Sequence, residues 1–275
     1  MVNPGAEALF RRDGDLLVPG PLTTGPWYPG TLHGSAMLAA MGRAAERHPS
    51  TVDRQVVRLT VDMMRAAPMA PLRVETATAR GGKNIDFVDI AMYADDELFV
   101  RGTALRMRTA DLAVDEPEAA EHPLPPAPDH VGESPFTKAG PERPGFHHAI
   151  DVHVDGDVVW FRLTAPVVEG EETSSFVTVA AIADWTYATP HLARNARGGP
   201  PPARTVYAIN ADTTINTFRP MSGSWLGLRT TAHTGSLGAG TSSAHLYDDA
   251  GPLGSCAQSI LVRGPSGAPL SVKEV

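Results

Sequence analysis

The chain has 275 residues, enough for one large domain or two smaller ones with separate cores. Hydrophobic residues make up 42% and charged residues 20%, the composition of a globular protein rather than a disordered one. A formal net charge of -8 argues against a nucleic-acid partner, which a basic face would have to meet, and the single cysteine, Cys256, rules out an intrachain disulfide or a multi-cysteine zinc site.

The N-terminal stretch Met1 to Leu9 lacks the basic start and apolar run of a secretory signal, and no run approaches 18 uninterrupted apolar residues. The expectation is therefore a cytoplasmic protein without a membrane span. Three regions follow: a patterned one over 1–108, a linker over 109–145 and a second patterned one over 146–275. The linker carries Asp115, Glu116, Pro117, Glu118, Glu121, Pro123, Pro125, Pro126 and Pro128. Proline fixes φ and cannot donate to a ladder, so this segment is expected to run over the surface.

In the first region, Thr31 to Arg47 is predicted helical. Ala36, Met37, Ala39, Ala40, Met41, Ala44 and Ala45 give it a broad, small-sided apolar surface, bounded by Pro29-Gly30 and Pro49. Strands are expected over Val56–Met64, Leu72–Ala79, Ile85–Tyr93 and Leu98–Arg108, with turns at Gly81-Gly82 and Ala94-Asp95-Asp96-Glu97. The second region opens on a hairpin over Val152–Thr164 with Asp155-Gly156-Asp157 at its tip. A helix is expected over Ser174–Ala188, ended by Pro190. Strands follow over Thr205–Phe218, Trp225–Ala232, Gly240–Tyr247 and Leu253–Arg263.

The two regions superimpose at a nearly constant offset. Pro68 falls on Pro220, Pro71-Leu72 on Trp225-Leu226, Tyr93-Ala94-Asp95-Asp96 on Tyr247-Asp248-Asp249-Ala250, and Arg108 on Arg263. A helix, a proline-ended strand and three meander strands, repeated in one order, predict a duplicated α+β unit with a helix against each antiparallel sheet.

Several residues carry chemistry. Asp184 follows Val177, Val179, Ala180, Ala181, Ile182 and Ala183 and precedes Trp185. A carboxylate there is poorly solvated, with a raised pKa unless hydrogen-bonded, as a general base would be; the alternative is a solvent-stripe residue or one bonded to a nearby amide. Gln258 lies in an apolar strand and could orient water through its amide, or simply face solvent. The corresponding stretch of the first half, Thr103-Ala104-Leu105, has no Gln. Asn210, Asp212, Thr214 and Asn216 alternate along one strand and are expected to share a face, either a site or the solvated side of a sheet. Asp212 is a second candidate carboxylate beside Asp184. His33-Gly34, at the first helix start, could present backbone N–H groups to an oxyanion or phosphate, or could be an ordinary helix entry. The His spacing contains no His-Glu-x-x-His and predicts no metal site, and no Gly-x-Ser-x-Gly elbow offers a nucleophile, so water is the expected attacking group.

Gly25-Pro26-Trp27 leading to Leu32-His33-Gly34, then Arg58-Leu59-Thr60-Val61-Asp62, Met64-Arg65, Pro68 and Pro71-Leu72, resemble the N-terminal half of the acyl-CoA thioesterase II family. Phe218-Arg219-Pro220, Trp225-Leu226, Leu246-Tyr247-Asp248 and Ala257-Gln258-Ser259 through Val262-Arg263 resemble its C-terminal half. The resemblance implies a double hotdog: two tandem units, each a curved antiparallel sheet wrapped around a long helix. It implies hydrolysis of an acyl-CoA or related thioester by a bound water, with no cofactor and a homo-oligomeric assembly. The family's water-holding Asp matches Asp184 and its Gln matches Gln258. Its Thr or Ser falls on Asn210, a departure. Two rival readings keep the fold: a protein that binds an acyl thioester or another apolar ligand without cleaving it, and a dehydratase using His33.

Overall fold

The computed structural model describes residues 7–26, 29–112, 126–129, 145–199 and 207–264. Trp27, the linker stretches 113–125 and 130–144, Thr205 and Val206, and residues 265–275 lie outside the described residues.

The first half is built from β1 (Phe10–Asp13), β2 (Leu16–Pro19), α1 (Gly34–Arg47), β3 (Arg54–Met63), β4 (Leu72–Arg80), β5 (Ile85–Ala94) and β6 (Glu97–Arg108). In the second half stand β7 (Ile150–Asp155), β8 (Val158–Leu163), α2 (Ser175–Ala183), α3 (Thr189–Ala196), β9 (Tyr207–Asn210), β10 (Asp212–Thr217), β11 (Leu226–Thr234), β12 (Ala239–Asp248) and β13 (Gly251–Arg263). The strand order is β1-β2-β4-β5-β6-β3-β10-β13-β12-β11-β8-β7, with β9 also on β13. Read inward from either edge, both halves have one order. Each has a hairpin at the far edge, then a three-strand meander, then the strand that follows the helix. The halves join where β3 and β10 pair antiparallel, Thr60 opposite Thr214. This is the double hotdog, an α+β fold.

Alternation along the strands explains which face turns inward. In β5, Asp86, Val88, Ile90, Met92 and Ala94 are buried and their neighbours are not. The inner face closes on α1 and α2, which pack side by side and antiparallel in the middle of the molecule. Their contact depends on small residues: a Cβ added at Gly42 would lie 3.0 Å from the Ala180 Cβ. Hence α2 is apolar nearly all round, with Phe176 to Ala183 all buried.

Asp86 and Arg106 are buried together at the end of α1. Arg106 donates to both Asp86 oxygens at 3.1 and 2.9 Å and caps the helix through the carbonyls of His48 at 2.6 Å and Pro49 at 3.2 Å. The guanidinium thus satisfies carbonyls that an α-helix leaves open at its C-terminus.

The expected second helix is a correction in detail. The α-helix ends at Ala183, a single 3-10 turn covers Asp184–Thr186, and α3 begins at Thr189 with Pro190 inside its first turn. Proline has no N–H to lose there and its φ suits a helix start, so Pro190 opens a helix rather than stopping one.

Candidate active site

Asp184 stands at the C-terminal end of α2, against the N-terminus of α1. Its side chain is 6% exposed. Oδ1 accepts from Asn210 Nδ2 at 2.6 Å, Oδ2 accepts from Ser35 Oγ at 3.3 Å, and Oδ2 lies 3.0 Å from His33 Nδ1. The first turn of α1 contains no acidic residue of its own. Asp184 supplies that charge from the other half, where the exposed N–H dipoles of α1 favour it.

Gly34 makes the approach possible. A Cβ at that position would lie 2.7 Å from the Asp184 Cγ, inside any ordinary contact. The N–H of Gly34 has no acceptor among the described residues, whereas the N–H groups of Ser35 and Ala36 are taken by His33 Nδ1 at 3.1 Å and the His33 carbonyl at 3.1 Å. His33 is the N-cap of α1, its ring sandwiched between Phe146 and Trp185 with centroids 5.1 and 5.3 Å away. Its Nδ1 cannot serve both neighbours at once: a lone pair accepts from Ser35 N–H, a proton donates to Asp184.

Asn210 reaches Asp184 because the strand is not regular. Asn210 pairs with Ile260 and Thr214 with Ala257, so four steps on one strand match three on the other. The extra residue is a β-bulge beside Ala211, and it turns Asn210 to the inner face with the buried Ile260. The expectation that Asn210, Asp212, Thr214 and Asn216 share one face is therefore corrected: only the last three do, on the outer side. Asp212 does not join Asp184. Its Oδ1 accepts from Ser259 N–H at 2.6 Å, and so satisfies an amide next to the bulge.

Gln258 is buried, and its amide is bonded throughout to protein. Nε2 donates to the carbonyls of Asp184 at 3.2 Å and Ala183 at 3.4 Å and to Thr213 Oγ1 at 3.2 Å, while Oε1 accepts from Tyr187 N–H at 3.0 Å and Ser242 Oγ at 3.3 Å. These partners fix which end is the oxygen. The side chain holds the turn that carries Asp184 rather than bonding its carboxylate. Two hydroxyls therefore meet Gln258, those of Thr213 and Ser242, and the alternation pattern had singled out neither.

The first half lacks this chemistry in the matching places. Its own register shift falls between Val56 and Arg58, so Val56, paired with Arg106, stands where Asn210 does. Leu59 and Ala104 pair where the second half has Thr213 and Gln258. Glu46, at the end of α1, accepts from Ser174 Oγ at 2.5 Å at the start of α2, but among the described residues it has no amide partner like Asn210. Among the described residues no group of three His, Cys, Asp or Glu side chains is placed to hold a metal ion.

Residues 23–107 match the model of the acyl-CoA thioesterase N-terminal domain, and residues 110–262 that of the acyl-CoA thioesterase C-terminal domain. The chain belongs to the acyl-CoA thioesterase family.

Solved structures agree with that fold. A putative thioesterase from Novosphingobium aromaticivorans superposes with a TM-score of 0.67 at 18% identity, covering 94% of this chain and 100% of that one. The tesB protein of Mycobacterium avium subs paratuberculosis gives 0.64 at 16% identity, covering 92% and 95%. A putative thioesterase II from Thermobifida fusca gives 0.64 at 17%, covering 92% and 94%. No curated protein matches the chain. Within this acyl-CoA thioesterase family member, the second-half constellation of Asp184, Asn210, Gln258 and Thr213, completed by His33, Gly34 and Ser35 from the first half, is the candidate active site. Ser35 and Phe146 carried no sequence signal beyond a helix start and a position after the linker.

Proposed function

We propose that this thioesterase-family hydrolase cleaves acyl-CoA thioesters at Asp184, and that the second half carries the working site. A water held by the Asp184 carboxylate and the Asn210 carbonyl attacks the thioester carbon. Asp184 takes the proton, and the developing oxyanion is met by the Gly34 N–H at the start of α1. The C–S bond then breaks and Asp184 returns the proton to the departing sulfur, leaving a carboxylic acid and a free thiol. Gln258 acts through the backbone by fixing the turn at Asp184.

The observation that carries this reading is the meeting of Asp184 with an amide donor at 2.6 Å and, across the helix contact, with a glycine whose N–H is unengaged among the described residues. Asn210 keeps the hydrogen-bonding role that the family gives to a hydroxyl, since its amide offers both donor and acceptor. A single-turnover assay with acyl-CoA substrates of graded chain length tests the proposal. Stoichiometric release of free CoA thiol for at least one chain length is expected. Tight binding across the series with no thiol release would replace hydrolysis with ligand binding.

A further inference from the structure

Beyond Asp184 the chain continues in helical geometry: Ala183, Asp184, Tyr187 and Ala188 all have right-handed helical φ and ψ, and α3 runs on from Thr189. Spacings of three in the 3-10 turn and three or four in the α-helix keep residues on one face. Asp184, Tyr187, His191 and Arg194 follow that spacing, and the Tyr187 and His191 rings meet edge-on with centroids 5.5 Å apart. The row therefore leads from the carboxylate, past two aromatic rings, to a guanidinium.

Arg194 ends that row with donors to spare. Its Nε, like that of Arg58, is buried without a hydrogen-bond partner, and no carboxylate pairs with its guanidinium among the described residues. Burial, and then the Arg194 charge, push the His191 imidazole below its usual range. Arg197, one turn on, is committed elsewhere: it donates to the Gly156 carbonyl at 2.6 Å on a hairpin that also carries Asp155 and Asp157. From Asp184 to Arg194 is ten residues, roughly 15 Å at the α-helical rise. That is comparable to the arm between the sulfur and the first phosphate of a phosphopantetheine thioester.

We propose that Arg194 anchors the phosphate next to the pantetheine arm, with Tyr187 and His191 lining the path to Asp184. This rests on the hydrolase reading. The test measures kcat/KM for one acyl group carried on CoA, on 4′-phosphopantetheine and on N-acetylcysteamine, which ends before the phosphate. The wild-type protein is expected to prefer both phosphate-bearing substrates over N-acetylcysteamine. In Arg194→Gln that preference is expected to fall about tenfold, through KM, and Arg194→Lys is expected to restore part of it. Because the three substrates are compared on one preparation, partial unfolding lowers all of them and leaves the ratio intact. An unchanged ratio in Arg194→Gln overturns the anchor. So does a preference seen with CoA but not with phosphopantetheine, since the cation would then act on the nucleotide. If the wild-type protein cleaves N-acetylcysteamine thioesters without any preference, the anchor fails and hydrolysis stands. Cleavage of none of the three sinks the hydrolase reading itself.

Discussion

Replacing Gly34 with alanine adds one methyl group at the most constrained point of the candidate site. The new Cβ would stand 2.7 Å from the Asp184 Cγ, and ordinary contact begins at 3.4 Å, so the carboxylate must retreat by about 0.7 Å or more. A displacement near 1 Å in a catalytic group costs on the order of 100-fold in rate. Stability responds less. Alanine improves helix propensity by up to about 1 kcal/mol, while overpacking costs about 1–3 kcal/mol. The expected result is a kcat lowered roughly 100-fold with a net loss of at most about 3 kcal/mol in stability, by the same two terms. Thiol release under single-turnover conditions reads the first and thermal melting reads the second. A Gly34→Ala protein that keeps most of its turnover would show that Asp184 does not work from its place against α1. A protein that loses activity only in proportion to its melting would show the same.

Gln258→Leu removes an amide that bonds five groups around the Asp184 turn, three of them in fully buried contacts. Each buried group left unsatisfied costs about 1–3 kcal/mol, so a melting temperature lowered by several degrees or more is expected along with lost activity. Asp248 is held below the usual carboxylate range: its burial works the other way, but is outweighed by Arg219, at 2.6 and 2.7 Å, and by the N–H groups of Ser222 and Ala250. A lowered folded pKa gives stability that is present above the unfolded value and lost as pH falls through the folded one. Asp248→Asn should therefore lower stability in denaturant unfolding at pH 7, with the gap to wild type closing as pH falls below about 4. Burial pushes the Cys256 thiol up to about 12, so a thiol reagent should label it only on unfolding. Rapid labelling of the folded protein at pH 8 would contradict its placement.

The repeat was legible because it rests on turn chemistry and period-two alternation. Asp95 and Asp96, expected in a turn, adopt positive φ of 46° and 63° between β5 and β6. One more copy of the pattern was open to reading. Asp13-Gly14-Asp15 between β1 and β2 mirrors Asp155-Gly156-Asp157 between β7 and β8, and it shows that the duplicated unit begins with its edge hairpin. Pro190 misled because proline both ends helices and starts them, and only the preceding 3-10 turn decides which.

Asp184 stood out as a lone carboxylate in an apolar helix. Which faces its strand neighbours take did not, because a β-bulge inverts the alternation beside Ala211 and puts Asn210 inside with Thr213 while Asp212 turns out. A single inserted residue leaves no periodic trace in a short strand. Ser35 and Gly34 meet Asp184 across the contact between halves, a relation set by helix packing rather than by any local pattern.

A paired substitution decides which of two pseudo-equivalent carboxylates does the chemistry. Asp184→Asn and Glu46→Gln each neutralise the acid at a helix end next to a serine of the other half. Single-turnover thiol release from an acyl-CoA should fall by at least about 100-fold in Asp184→Asn, as for loss of a general base, and stay near wild type in Glu46→Gln. Release that survives in Asp184→Asn, or that falls as far in Glu46→Gln as in Asp184→Asn, would show that Asp184 is not the working carboxylate of the pair.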